Sequence, residues 1–243
     1  MGYLELSKQE LEKEYGNLVK RFEEFKGMGL NLNMARGKPG KEQLDFSLPM
    51  LDTINSKSDF IGEDKMDCRN YGLLNGITEC RKLFADILGV DAENVIVGGS
   101  SSLNMMFDTI SCFMTAPAVE GCKPWYEVKN RKFLCPVPGY DRHFGITQYY
   151  GFELIPIPMD DNGPDMDMVE RLVSEDDSIK GIWCVPKYSN PAGITYSDEV
   201  VKRFAALKPA AKDFRIMWDN AYCIHEISDT PDVLLNIMDE CKK

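Results

Sequence analysis

The sequence predicts an α/β fold in which a mostly parallel sheet carries helices on both faces. Two observations point there. From Tyr71 onward, short apolar runs of strand length alternate with segments of helical period. The runs end in clusters of glycine, proline, serine or asparagine, which are the residues that turn a chain. No internal repeat or low-complexity tract interrupts the alternation.

The elements follow in order. Ser7-Lys8-Gln9-Glu10 forms a capping box, and Leu11, Tyr15, Leu18, Phe22 and Phe25 follow at helical spacing. That predicts an amphipathic docking helix ending near Gly27-Met28-Gly29. Residues 33–40, Asn-Met-Ala-Arg-Gly-Lys-Pro-Gly, read as irregular. Gly76 to Leu88 reads as a helix with Ile77, Cys80, Phe84 and Ile87 on one face. Val95-Ile96-Val97 reads as a short strand, and Gly98-Gly99-Ser100-Ser101-Ser102 leads into a helix through about Met114. Residues 116–131 read as a loop because Pro117, Gly121 and Pro124 break any period. Strands are expected at 133–135, 152–157, 181–185 and 214–218. Helices are expected at 141–150, 166–174, 198–207 and 231–241, with a turn at 160–164.

Composition excludes several classes. A hydrophobic fraction of 44% over 243 residues sustains a core. No window holds an uninterrupted apolar run long enough for a membrane span. The N-terminus lacks a basic region followed by an apolar core, and Leu6 breaks the myristoylation pattern begun by Met1-Gly2. A cytoplasmic protein without a membrane partner is expected. The net charge of −11 argues against nucleic acid, which needs clustered Lys and Arg, and fits an acidic solubilising surface. The eight cysteines form no C-x-x-C pair, so no metal site is expected. Cys112, Cys135, Cys184 and Cys223 lie in apolar segments and read as buried thiols. His143 and His225 stand alone in the sequence, and neither supports a catalytic triad.

The chemistry-bearing residues sit where strands end, the place at which open α/β sheets bind their ligands. The Ser100-Ser101-Ser102 turn can offer hydroxyls and a helix N-terminus to an anion, or can simply cap its helix. Asp219 closes the apolar run Phe214 to Trp218. Its carboxylate can pair with a protonated pyridine nitrogen or cap the following turn. Asn190, in Ser189-Asn190-Pro191-Ala192-Gly193, and Tyr222 could both hydrogen-bond one ring oxygen; the tetrapeptide alone reads equally as a turn. A cis Asn190-Pro191 bond would turn the amide inward. Tyr140, in Pro136-Val137-Pro138-Gly139-Tyr140, could stack on a planar ring or fill a loop.

Taken in order, Gly37-Lys38-Pro39, Tyr71 with Gly76, the serine turn, Pro138-Gly139-Tyr140, Ser189 to Gly193 and Trp218-Asp219-Asn220-Ala221-Tyr222 form a set. That set resembles the class I/II aminotransferases of pyridoxal 5'-phosphate (PLP) fold type I, in detail the bacterial aspartate aminotransferase-like subgroup. The resemblance runs from about residue 30 to the end. It implies a PLP fold type I large domain over residues 51–243, incomplete at the C-terminus, with residues 1–50 an N-terminal helix and arm belonging to the small domain. It implies that Ser100, Ser101 and Ser102 bind the PLP phosphate and that Tyr140 stacks on the ring. Asn190 and Tyr222 would hold the 3-oxygen, and Asp219 the ring nitrogen; Asp219 and Tyr222 are the catalytic candidates. Tyr71 would reach the phosphate of a neighbouring subunit, which implies a homodimer. Arg36, Gly37 and Asn190 would line the substrate side, for an amino acid and a 2-oxo acid.

One departure stands out. The family's Schiff-base lysine follows the Asp-x-x-Tyr motif on a serine-rich segment, and the substrate-carboxylate arginine follows later still. Between Tyr222 and Lys243 the only lysines are Lys242 and Lys243, in the wrong context. A truncated, inactive form of a transaminase with poor solubility and an exposed sheet edge is therefore expected. The other readings are a non-catalytic binding or regulatory module and a different PLP reaction, such as C–S lysis, on the same fold.

Overall fold

The computed structural model describes residues 2–32, 37–226 and 228–242. The chain divides into two compact units, residues 1–59 and 60–243.

In the first unit the capping box forms as its spacing predicts. The Glu10 amide donates to Ser7 Oγ and the Ser7 amide to Glu10 Oε2 at 2.8 Å, opening α1 (Lys8–Gly27). On α1, Tyr15, Phe22 and Phe25 are exposed. A helix that the sequence did not announce, α2 (Lys41–Ser47), runs into a 3-10 turn at Leu48–Asp52. Residues 37–40 are irregular, as read.

The second unit is built on a five-stranded sheet of order β3-β2-β1-β4-β5. Its strands are β1 (Lys132–Val137), β2 (Glu153–Asp160), β3 (Gly163–Pro164), β4 (Ile179–Cys184) and β5 (Arg215–Trp218). All pairings are parallel except β2–β3, which the turn at Asp160–Gly163 makes antiparallel. Parallel strands need crossovers, supplied by α5 (Asp141–Tyr149), α6 (Met166–Glu175) and α7 (Asp198–Ala205). Alternation along each strand divides the core between the sheet's faces. Leu134, Ile182 and Cys184 join Val169 and Val173 of α6 and Val201 and Phe204 of α7. Phe133, Cys135 and Trp183 join Ile110 and Met114 of α4 (Ser102–Thr115), Ile146 of α5, and Trp125. At Gly181 the strands come so close that a β-carbon would lie 2.6 Å from both the Phe133 ring and the Arg215 carbonyl.

Several expectations need correction. Val95-Ile96-Val97 is not a strand. Val95 is extended, but strands exist only as pairs, and the Val97 amide donates to the Asn75 carbonyl outside the sheet. The helix expected at 231–241 shrinks to α8 (Ile237–Glu240), because the Asn236 side chain caps it at Met238 and donates to the Gly89 carbonyl at 2.6 Å after α3 (Thr78–Leu88). β5 is half-buried at the sheet edge. The 116–131 loop contains a 3-10 turn at Trp125–Glu127. Its fully buried Trp125 donates to Asp213, which also pairs with Lys180 at 2.8 Å. Cys112 is exposed and Cys223 only half-buried, while Cys135 and Cys184 are buried as expected. Burial pushes the Cys135 thiol up to about 12, so it is inert.

Candidate active site

The parallel strands deliver polar groups to one end of the sheet. Tyr140 follows β1 and opens α5, Asn190 follows β4, and Asp219 follows β5 directly, its amide donating to the Cys184 carbonyl at 2.9 Å. These residues meet Ser100, Ser101, Ser102 and Tyr222 around one cavity of about 350 Å³. Leu103, Val185 and Ala221, which were not among the candidate site residues, complete the lining. The Asn190–Pro191 peptide is cis.

Each group has a distinct state. Ser101 caps α4, accepting from the Asn104 amide at 3.4 Å, so the capping reading of the serine turn holds at that residue. Its hydroxyl also donates to Asn104 Oδ1 at 3.3 Å. Among the described residues neither the Asn190 amide nor the Tyr222 hydroxyl makes a hydrogen bond.

Asp219 has a partner that the sequence did not reveal. His143 Nε2 lies 2.9 Å from Asp219 Oδ2, with the imidazole 1% exposed and the carboxylate 13%. A carboxylate oxygen accepts, so this contact is a hydrogen bond with the hydrogen on Nε2 as its donor. The ring is fixed from two sides: it stacks on Trp183 at 4.8 Å and 18°, and meets Tyr140 edge-on at 5.0 Å. The second oxygen of Asp219, Oδ1, remains for another donor. The available signal was positional, since His143 sits on the first turn of the helix that Tyr140 caps.

Other predicted residues lie elsewhere. Tyr71 is 93% exposed and does not line the cavity. Gly37 belongs to the first unit, and Arg36 lies outside the described residues. Among the described residues no lysine lines the cavity. Lys187, close to Asn190 in sequence, is buried and turned into an ion pair with Glu226 at 2.8 Å.

A family model described as aspartate amino-transferase matches residues 6–243. The chain belongs to this family. Within it, the aspartate aminotransferase of Corynebacterium glutamicum is 47% identical over 219 residues, which are 90% of this chain and 50% of that protein. The chain thus spans about half the length of this curated relative. A crystal structure of an aspartate transaminase from the same organism matches with a TM-score of 0.86 and 43% identity, over 98% of this chain and 55% of the other. An archaeal alanine:glyoxylate aminotransferase, at 21% identity and a TM-score of 0.59 over 92% of this chain and 53% of that one, shares the fold alone. The aminotransferase family brings PLP with it as cofactor, and the cavity's chemistry fits that group. A small-residue turn at a helix N-terminus suits a phosphate, and a half-engaged carboxylate at a strand end suits a pyridine nitrogen. Among the described residues no helix is long and apolar enough to cross a membrane.

Proposed function

We propose that the cavity between the serine turn, Tyr140, Asn190, Asp219 and Tyr222 is the PLP seat of an aminotransferase that moves an amino group from an amino acid, aspartate foremost, to a 2-oxo acid. The observation that carries this reading is Asp219, which lines the cavity and is held by His143 through only one of its two oxygens. Aspartate is favoured because it is named for the C. glutamicum relative.

Each side chain has a task on this reading. Ser100 and Ser102, with the N-terminus of α4, receive the phosphate, and Ser101 joins them by turning its O–H away from Asn104. Tyr140 covers the ring. The Asn190 amide and the Tyr222 hydroxyl donate to the ring 3-oxygen, favouring its anionic form. Asp219 accepts from the ring N–H and keeps that nitrogen charged, while His143 fixes the carboxylate's orientation. PLP, when bound, supplies the electron sink for the carbanion of the amino acid. Residues 1–50 serve as an arm of a small domain and 51–243 as the PLP-binding domain. The exposed Tyr71 would reach the cofactor phosphate of a second copy in a homodimer.

Among the described residues no lysine lines the cavity, so none of them supplies the amine that would bond the cofactor and shuttle its proton. It therefore binds PLP without appreciable turnover of aspartate and 2-oxoglutarate. Titrating PLP into the purified protein should give saturable quenching of tryptophan fluorescence, and borohydride should then trap no adduct on residues 2–242. Absence of saturable binding would overturn the cofactor seat. Steady transamination by this chain would overturn the claim of inactivity.

A further inference from the structure

Tyr188 has a backbone φ of +47°, in the left-handed region that bulky side chains avoid. It lies two residues before Asn190, so whatever holds it aims the Asn190 loop. Its amide donates to Thr195 Oγ1 at 3.3 Å. Its hydroxyl donates to Glu226 Oε2 at 3.1 Å and accepts the Asp232 amide at 3.0 Å. The neighbouring Lys187, 5% exposed, places its ammonium 2.8 Å from Glu226 Oε1 and 3.4 Å from the Cys223 carbonyl. One carboxylate thus engages two successive residues, one with each oxygen.

The loop beyond them is internally braced. The Ser189 amide donates to the Ile194 carbonyl at 2.9 Å, the Gly193 amide to the Ser189 carbonyl at 2.5 Å, and the Ile194 amide to Ser189 Oγ at 3.1 Å. Residues 189–194 are thus tied to one another, and Glu226 engages the two residues that precede them. Glu226 itself follows Tyr222 closely in sequence, and Lys187 grips the carbonyl of Cys223, the residue after Tyr222. The carboxylate joins the loop that carries Asn190 to the turn that carries Tyr222, yet does not line their cavity.

We propose that Glu226 is a positioning residue that registers Asn190 against Tyr222, so that both can donate to one acceptor oxygen. Two donors converging on one atom tolerate little relative displacement, because hydrogen bonds weaken steeply with distance and angle. The proposal rests on the reading that this acceptor is the 3-oxygen of PLP.

The test compares PLP with its 3-deoxy analogue on the wild-type chain, on Glu226→Ala and on Tyr188→Phe, alongside amide hydrogen exchange. Wild-type should prefer PLP. Glu226→Ala should weaken PLP about tenfold, the size of one or two lost hydrogen bonds, and leave the analogue within about twofold. Tyr188→Phe should act in the same direction with smaller size, and it carries the prediction if Glu226→Ala does not fold. Exchange should rise together in peptides covering 187–196 and 219–226 while those covering β1 and β4 stay protected. Equal weakening of both ligands, or no change in either, overturns the proposal, because a general structural role would not discriminate between them. A wild-type chain that binds neither ligand overturns the cofactor reading instead. The exchange measurement then still decides the clamp: a coordinated rise in both segments supports it, and a change confined to the peptide containing residue 226 overturns it.

Discussion

Asp219 offers two carboxylate oxygens, and His143 takes one of them from a position locked between Trp183 and Tyr140. That contact restrains the carboxylate, and a restrained group costs less to order on binding. On the proposed reading, Asp219→Asn keeps the shape but removes the charge that would hold a pyridine nitrogen protonated. PLP affinity should fall at least tenfold, in line with about 1.5–3 kcal/mol for a hydrogen bond to a charged group, read by fluorescence titration. His143→Phe separates packing from pairing. The ring can still stack on Trp183, but Asp219 Oδ2 loses its donor, so stability should drop by about 1–3 kcal/mol, seen as a lower urea midpoint. An unchanged midpoint would mean that solvent replaces the imidazole. Asp219 was legible in the sequence because an apolar run announces where a strand ends, and a carboxylate at that end is conspicuous. His143 was not, because a contact between residues 143 and 219 belongs to the fold and leaves no mark in local spacing. Lys187 and Glu226 escaped for the same reason: a charged residue in a loop looks solvated until a partner is found beside it.

Strands β1 and β4 were legible from composition alone, since the middle of a parallel sheet is apolar on both faces and reads as a continuous hydrophobic run. Such a run does not reveal whether a partner exists. Val95-Ile96-Val97 has the residues of a strand and an extended backbone at Val95, yet its hydrogen bond goes to Asn75. Residues 231–236 fail in the opposite way: Val233, Leu234 and Ile237 keep helical spacing, but Asn236 prefers to cap the short α8 and hold the end of α3. Gly181 shows how closely neighbouring strands depend on one small residue. With Phe133 and the Arg215 carbonyl each 2.6 Å from where a β-carbon would sit, Gly181→Ala must push β5 away from β4 or displace the Phe133 ring. Overpacking of this kind costs about 1–3 kcal/mol. Because Asp219 hangs directly from β5, the same substitution should also weaken PLP binding, although residue 181 is outside the cavity. Wild-type affinity in a destabilised Gly181→Ala protein would show that the site does not depend on the β4–β5 spacing.

Over the whole molecule, the charge of −11 sets how the fold responds to acid. Protonating carboxylates relieves mutual repulsion, but it also removes the contacts of those carboxylates that the fold has paired. Arg203 holds the Glu170 carboxyl below its ordinary range, mainly by hydrogen bonding, and Lys187 does the same for Glu226. Asp176 is the clearest case. Burial raises its carboxyl, yet hydrogen bonds from Lys132 and from the Ser178 hydroxyl and amide, together with the Lys132 charge, bring it down to about 2 against an ordinary 3.8. The group joins Lys132, the first residue of β1, to the turn that starts β4, so it fastens the two central strands at the end opposite the cavity. A carboxylate lowered on folding stabilises the native state fully above its unfolded value, and that stabilisation is lost as pH falls through the folded value. For Asp176 the window runs from about pH 4 down to about pH 2. Asp176→Asn should lower the urea midpoint at pH 6 and flatten its decline across that window, so that the variant and wild-type curves converge near pH 2. Asp67, also lowered to about 2 by Arg69, whose own side chain is exposed, serves as the control. Solvent screening removes most of its contribution, and Asp67→Asn should leave the acid limb nearly unchanged. Parallel curves for wild-type and Asp176→Asn at every pH would show that the Lys132–Asp176 pair takes no part in acid unfolding. The loss would then lie with the pairs that Arg203 and Lys187 make.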